Sequence, residues 1–406
     1  GAMKIYFNAG VDASFSTGSY PTGTSGAAIE AEIIKRINAA QESIDCSIYN
    51  INRTTIAAAL AEAHARGVVV RYIADNGTAN LALEDPSPPF PVLRGNPDGL
   101  MHNKFFVFDA DDNDNSWVMT GSTNLTGNNL ATDYNSTVFI QDKALAQAYT
   151  LEFEEMWGTA GPEPGIFSVL FGADKTNNTP RTFLVNDILI ELYFSPSDNT
   201  TIGIANAVES ADTDLQFELL VFTNNELGTA VLNEHNSGVQ VRGIIDQINS
   251  QGSEFDYLVN GGVNVIEDNT VVQTHHKHCI IDATNVDSDP QVVLGSHNWS
   301  ASAETRNDEN TLIVHDANVA NVYLQEFEAR WCEAQGGLNC IVTNLDEQYA
   351  IEGVGLEVYP NPARSHTSVN ITLGQKEDIV LNLLDFRGVF LQSLVLNNVQ
   401  GQFTET

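Results

Sequence analysis

The chain has 406 residues, 42% of them hydrophobic, which is enough for two domains or one duplicated domain with an ample core. Its 18 Lys+Arg stand against 53 Asp+Glu, a formal net charge of -35, leaving none of the basic stripe that a long nucleic-acid footprint uses to neutralise phosphates. The acidity reads as a solubility device, and no apolar run reaches the length of a membrane-spanning helix.

In chain order, residues 1–3 (Gly-Ala-Met) read as a tag-cleavage remnant standing where a leader would be. Residues 4–7 then predict a strand, 28–40 a helix and 43–49 a second strand. A further helix ends at Gly67, and a strand over 68–74 closes on Asp75. The proline-rich stretch 77–98 reads as a long loop placed to shape a site entrance. It leads into His102-Asn103-Lys104, then Asp109, then Gly121-Ser122-Thr123-Asn124. The acidic run 109–115 lacks the sixth-position Gly and final Glu of an EF-hand loop, so it reads as solvated, with calcium only adventitious. Tyr149, Phe153 and Trp157 follow at i, i+4, i+8, one face of a helix, and are expected to pack in the core.

Residues 161–187, rich in Gly, Pro and Asn, read as a linker with a lid role as an option. The whole series then recurs. Strand-like 191–194, helical 201–209 and strand-like 215–222 precede a helix ending at Gly238 and a strand 239–245 closing on Asp246. The second phrase is His275-His276-Lys277, Asp282, Gly295-Ser296-His297-Asn298, and the closing helix carries Tyr323, Phe327 and Trp331. Residues 4–160 and 188–341 are therefore two copies of one unit. The predicted fold class is α/β: two homologous α-β-α sandwich repeats with pseudo-twofold symmetry, which brings corresponding loops together. Residues 350–406 predict a small C-terminal β-sandwich, with Asp385 to Gly388 as a hairpin turn.

Two imidazoles in opposite protonation states supply a nucleophile and a proton donor near neutral pH. Lys104 and Lys277, two residues beyond their histidines, share a strand face with them and suit the neutralisation of non-bridging phosphate oxygens. Asn124 and Asn298 supply neutral donors to the same oxygens. Ser122 and Ser296 orient that shell or simply make the turn after glycine. Asp109 and Asp282, an odd number of positions away, read as structural supports. His276, His278 and His297 read as packing residues or pocket lining. Neither Cys-x-x-Cys nor His-x-x-x-His occurs to suggest zinc.

These residues resemble the phospholipase D superfamily, whose signature is His-x-Lys-x4-Asp followed by Gly-Ser-x-Asn, with both copies intact over about residues 4–335. The resemblance implies a phosphodiesterase working through a covalent phosphohistidine, with His102 as nucleophile, His275 as general acid/base and no cofactor required. It also marks Glu309 as the carboxylate that orients a catalytic imidazole, with Tyr134 at the matching place in the first repeat; a solvated charge is the other reading of Glu309. Phospholipid head-group cleavage, with transfer to an alcohol as an extension, is the expected reaction; a metal-independent nuclease of the same superfamily is the alternative. A monomer in peripheral contact with lipid surfaces, forming no stable nucleic-acid complex, fits that expectation. The tail Tyr359-Pro360-Asn361-Pro362-Ala363 resembles the type IX secretion sorting domain of Bacteroidetes, implying a secreted or cell-surface protein. Cys332 and Cys340 flank a short polar stretch and are expected to form a disulfide in such a compartment, whereas Cys46 and Cys279 read as buried thiols.

Overall fold

Strands rich in β-branched residues alternate with alanine-rich helices through the first 340 residues, and each alternation builds half of the molecule. The structure is a computed structural model. It describes residues 1–338 and 340–342, together with the backbone of three later strands. The first half contains β1 (Met3–Phe7), β2 (Gly23–Thr24), α1 (Gly26–Ala39), β3 (Ser43–Ile48), α2 (Thr54–Ala65), β4 (Val69–Asp75), β5 (Val92–Gly95), β6 (Lys104–Phe108), β7 (Trp117–Gly121), α3 (Gly127–Ala131), β8 (Ser136–Gln141) and α4 (Lys143–Trp157). The second contains β9 (Thr182–Val185), β10 (Ile188–Ser195), α5 (Thr200–Glu209), β11 (Asp214–Leu219), α6 (Asn225–Ser237), β12 (Gln240–Ile245), α7 (Phe255–Asn260), β13 (Asn264–Glu267), β14 (Lys277–Ile281), β15 (Gln291–Gly295), α8 (Ala301–Thr305), β16 (Glu309–His315) and α9 (Ala317–Ala334).

One sheet runs β2-β1-β8-β7-β6-β3-β4-β5, the other β13-β12-β11-β14-β15-β16-β10-β9. Read from opposite ends, seven strands recur in one order. The strands joined through α2 and α6 are parallel, β3 with β4 and β11 with β12, as a helical crossover requires. The copies differ at one edge. β2 extends the first sheet beside β1, whereas a hairpin strand, β9, extends the second beside β10.

Strand periodicity sorts the core into three layers. On β6, Phe106 and Phe108 join Ile29 and Ile33 of α1 and Leu60 of α2 on the outer face of the first sheet. Phe105 and Val107 point the other way and share one cluster with Ile190, Leu192 and Phe194 of β10. Tyr149, Phe153 and Trp157 of α4 and Tyr323 and Phe327 of α9 fill that middle layer, with Trp331 packed against it. Ile204 of α5 and Leu227 and Val231 of α6 cover the second sheet. Each fully buried Phe here contributes about 1.5–3 kcal/mol. Asp142 and Asp316 cap α4 and α9 by accepting from Leu145 and Val319, so even the helix starts correspond.

Three boundaries differ from the sequence expectation. Met3, read with the tag remnant, opens β1. The 77–98 stretch contributes β5 and a single turn at Leu81–Leu83, because its Val92–Gly95 run pairs along β4. The segment 161–187 is no free linker or lid. Its Thr182–Val185 run is β9, with Phe183 and Val185 in the middle core. Lys175 in the same segment is fully buried against Glu152 of α4, Asp308 Oδ1 at 3.2 Å and Ser195 O at 2.7 Å. Cys332 and Cys340 form a disulfide, while Cys46 and Cys279 are buried free thiols.

Residues 341–406 are a separate unit. Its described strands β17 (Val354–Tyr359), β18 (Ser368–Leu384) and β19 (Phe390–Glu405) form one antiparallel sheet. The runs 368–373 and 379–384 join into one strand, with register shifts between Leu373 and Ile379. The turn at Asp385 to Gly388 and the signature residues Pro360 to Ala363 lie outside the described residues.

Lys175 generates a stability prediction. Replacing it with Ala leaves Glu152 and Asp308 buried without a cation, at a cost of about 3–5 kcal/mol. Urea unfolding at pH 8 reads this as a lowered midpoint. The loss shrinks near pH 5, because burial pushes the Glu152 carboxyl up to about 7 even beside Lys175, and protonation removes the unpaired charge.

Candidate active site

Both histidines stand two residues before a central strand, where the two halves exchange hydrogen bonds. His102 N donates to Asp308 O at 3.0 Å and Asp308 N to Leu100 O at 2.8 Å. In the mirror arrangement His275 N donates to Tyr134 O and Tyr134 N to Gln273 O, both at 2.9 Å. These are short parallel bridges, Met101 with Asp308 and Tyr134 with Thr274. Each histidine is thus held in position by the opposite half.

The side chains repeat the exchange. His102 Nδ1 lies 2.8 Å from Glu309 Oε2, which also accepts from Ser296 Oγ at 2.7 Å. His275 Nδ1 lies 2.8 Å from Asn135 Oδ1, which accepts from Ser122 Oγ at 3.0 Å. Asn135 Nδ2 donates to Asn129 O and Asp133 O, so its amide orientation is settled and Oδ1 faces the imidazole. An ionised carboxylate and an amide oxygen are both acceptors. Both rings therefore carry their proton on Nδ1 in the neutral state, leaving Nε2 with the free lone pair.

The register corrects the predicted match between Tyr134 and Glu309. Ser136 N donates to Ser122 Oγ and Asn310 N to Ser296 Oγ, which aligns Asn135 with Glu309 and Tyr134 with Asp308. A slip of one position in a strand exchanges the two faces, so the correction changes which side chain meets the imidazole. The copies remain unequal: a carboxylate backs His102 and a neutral amide backs His275.

Lys104 and Lys277 are buried and donate back to the carbonyls of His102 and His275 at 2.7 and 2.8 Å. Neither has a carboxylate ion pair among the described residues. Burial pushes the Lys277 ammonium down to about 7 and holds Lys104 well below the lysine range. Burial likewise lowers His102 to about 4, against the pull of Glu309, with the lysine charges adding to the effect. His275 is well below the usual imidazole range, first from burial and then from Lys277 and Lys104. For Glu309, burial works upwards but His102 and Lys104 prevail and hold the carboxyl low. This is a pocket of crowded positive potential, and an anion between the lysines would restore their charged forms. The side-chain oxygens of Asn124 and Asn298 are buried and have no hydrogen-bond partner within the protein.

Asp109 and Asp282 lie at the far ends of β6 and β14. Asp109 accepts from the backbone N–H groups of Gln41, Glu42 and Ser43, and Asp282 from those of Asp212, Thr213 and Asp214. Each locks the start of the neighbouring strand. Gly121 and Gly295 have φ of +146° and +144°, and a Cβ on either would meet Ser136 O or Asn310 O at 2.2 Å. His297 is buried near Glu304, and His276 and His278 lie on the inner face of β14. In the acidic loop, Asp112 Oδ1 accepts from Asp114 N and Asn115 N.

Sequence reasoning missed Asn135 and Tyr49, whose ring packs edge-on to His102 at 4.9 Å with Lys104 Nζ 5.1 Å from its centroid. Asp75 and Asp246, already visible as matched strand ends, also contribute. They accept from Met101 N and Thr274 N and so tether the approach to each histidine.

A family described as the cardiolipin synthase, phospholipase D-like domain matches residues 33–157 and 204–331. A mitochondrial cardiolipin hydrolase from Chlamydomonas reinhardtii is 35% identical over 124 residues, 30% of this chain and 53% of that protein. A phospholipase D from Rickettsia felis is 27% identical over 178 residues, 42% of this chain and 86% of that protein. The chain spans about half the length of the cardiolipin hydrolases it matches. The phosphatidylserine synthase of Haemophilus influenzae shares the fold with a TM-score of 0.55 at 15% identity, covering 76% of this chain and 85% of that one. With the domain matched once in each half and both motif sets facing each other across the bridges, the chain belongs to the phospholipase D-like family.

Proposed function

We propose that this protein is a phosphodiesterase that cleaves phospholipid head groups through a covalent phosphohistidine, with no metal at the reacting phosphate. The observation that carries this reading is the pair of histidines, each with Nδ1–H engaged by the opposite half, set beside two buried lysines. Nε2 of His102 attacks phosphorus. A P–N bond forms, the P–O bond to the leaving group breaks, and the leaving oxygen takes the proton from Nε2 of His275. In the second half, His275 Nε2 takes a proton from water (or an alcohol), whose oxygen attacks phosphorus as the P–N bond breaks and His102 is restored. Lys104, Lys277, Asn124 and Asn298 hold the non-bridging oxygens, where charge is greatest in the transition state. Glu309 supports His102 as nucleophile, since a carboxylate on Nδ1–H increases electron density at Nε2. His275 begins as the imidazolium, and the substrate's own negative charge offsets the lysines that otherwise depress it.

A lipid substrate is supported by three observations. The net charge of -35 disfavours a long polyanion. Exposed apolar residues, Leu100 and Val271, precede the two histidines by two and four positions. Relatives include proteins named cardiolipin hydrolase and phospholipase D. Both motif copies lie in one chain, so a monomer holds the full set of groups. The Cys332–Cys340 bridge supports export to an oxidising compartment, in line with the tail resemblance.

Either His102→Ala or His275→Ala lowers turnover of a natural phospholipid by at least about 1000-fold. They differ with an activated p-nitrophenyl phosphodiester. His275→Ala releases a burst of nitrophenol and accumulates acid-labile phosphate on protein, because that leaving group needs no proton. His102→Ala does neither; labelling of His102→Ala instead would reverse the assignment.

Glu309→Gln lowers kcat/KM by about 100-fold and moves its acid limb to lower pH, since removing the carboxylate makes His102 less basic. An acid limb that stays in place would show that Glu309 does not set His102. In EDTA, liposomes of cardiolipin or phosphatidylcholine are expected to release product while single-stranded DNA is left intact. Cleavage of DNA without lipid turnover would replace the lipid reading with a nuclease.

A further inference from the structure

Behind the site, on the face of β14 that meets α9, the second half carries a set of buried polar groups that the first half lacks. Glu218 of β11 and His276 and His278 beside and within β14 are essentially inaccessible to solvent. Each offers a ligand atom, and the three lie within 4.8 Å of one another. Glu218 Oε1 is 4.0 Å from His276 Nε2, and Glu218 Oε2 is 3.6 Å from His278 Nε2. Glu326 Oε1 of α9 lies 3.1 Å from His276 Nε2. Apart from that last contact these separations are too long for hydrogen bonds. They bracket the ligand-to-ligand edge of about 3.3 Å that follows from Zn–N and Zn–O bonds of about 2.0–2.1 Å in a tetrahedral site.

The hydrogen-bond inventory does not close within the protein. Glu218 Oε2, His276 Nδ1 and both ring nitrogens of His278 have no partner, and neither does Glu326 Oε2. Arg330 lies near Glu326 and Glu333, at 3.8 and 3.4 Å, and Thr274 Oγ1 donates to Glu218 Oε1. That leaves Glu218 with no cation in contact among the described residues. A buried carboxylate beside two imidazoles with unpartnered ring nitrogens is costly as it stands, and one cation would take up a Glu218 oxygen and one nitrogen of each ring.

The duplication supplies a control. Register places Glu218 opposite His278 and, in the first half, Ser47 opposite Phe105. Asn103 stands where His276 does, and its amide approaches the Met156 sulfur at 3.9 Å. The same fold closes this region with Ser, Asn and Phe, and Glu152, which the aromatic spacing of α4 and α9 matches to Glu326, pairs with Lys175 there, so the backbone does not demand Glu218 and the two histidines.

We infer that Glu218, His276 and His278 form a structural site for a divalent transition metal, filled by zinc, that pins the strand carrying the second motif to β11, with Glu326 of α9 3.1 Å from His276 Nε2 beside it. Two imidazoles and a carboxylate oxygen match the ligand preference of Zn2+, and their burial away from solvent describes a structural site. The ion lies on the face of β14 opposite Lys277, so it takes no part in the phosphoryl chemistry.

The test uses the full chain with its disulfide intact, purified without chelator and analysed for metal by plasma mass spectrometry. The protein is then unfolded in guanidinium with EDTA and refolded with Zn2+, with Co2+ or with neither. The expected result is about one equivalent of zinc retained through gel filtration, visible tetrahedral cobalt bands after refolding with Co2+, and a higher Tm with zinc than without. The double variant Glu218→Ser/His278→Phe, which installs the residues of the first half, should hold under about a tenth of an equivalent and show no zinc-dependent Tm shift. Wild-type protein refolded with Zn2+ yet carrying under about a tenth of an equivalent would overturn the inference, whatever the variant does. Equal zinc in wild type and variant would overturn it as well, by placing the ion elsewhere.

Discussion

The structure depends on an exchange. At the centre of the first 340 residues, a backbone N–H and an imidazole N–H from each half are accepted by groups of the other, so each histidine needs the opposite repeat as well as its own. His102 takes its backbone acceptor from Asp308 and its ring acceptor from Glu309; His275 takes both from Tyr134 and Asn135. Geometry at hydrogen-bond accuracy is what phosphoryl transfer requires, since misplacement of a nucleophile by an ångström forfeits most of the advantage of holding it. Each bridge is braced from behind by a buried cation. Asp308 is gripped by Lys175, Asn96 and Gly172 N, while the ring of Tyr134 lies 4.0 Å from the Arg330 guanidinium and its hydroxyl donates to Glu333. The segment expected to be a linker is therefore part of the support of His102.

Two copies with one topology are filled by different chemistry, and the differences concentrate around the exchange. Glu309 faces Asn135, a charge against an amide. Lys175 braces through charge, whereas Arg330 braces through an aromatic face. Duplication permits this because a strand order can stay fixed while alternate faces of each strand change independently. Symmetry supplies the placement of two imidazoles, and broken symmetry gives them different partners, a carboxylate for His102 and an amide for His275.

Much of this was legible in the residues. Both motifs, the two repeats, the helices with Tyr, Phe and Trp on one face, and the disulfide pair all follow from spacing, because each is local or is a pattern repeated at a fixed offset. What stayed hidden depends on contacts between distant segments. Asn135 looks like any polar residue before a strand until register sets it against His275, 140 positions away. The match of Tyr134 to Glu309 is off by one because the register is defined by the serine-to-backbone bonds of Ser122 and Ser296, which only the fold reveals. Lys175 and Thr182–Val185 sit in a Gly- and Asn-rich context that imitates a linker, and only tertiary burial reveals otherwise. His276 and His278 were visible as a pair two apart, but Glu218 joins them from another strand.

The overall charge and the local charge point in opposite directions, and that opposition bears on which anions reach the site. A chain with 35 more acidic than basic side chains repels a polyanion along its whole length. Repulsion beyond about 10 Å is screened at moderate salt, so a single phosphodiester feels mainly what lies within that radius. Within it stand Lys104 and Lys277, buried where the field between charges is least weakened by water and where no carboxylate pairs with them directly. One phosphate approaching with an apolar body is thus drawn in at short range after little opposition at long range. A strand of many phosphates meets the opposite balance, with its flanking charges held against the acidic surface while only one can occupy the pocket. On the lipid reading proposed above, the acidity of the chain acts in this way as part of its selectivity, alongside the residues that touch the substrate.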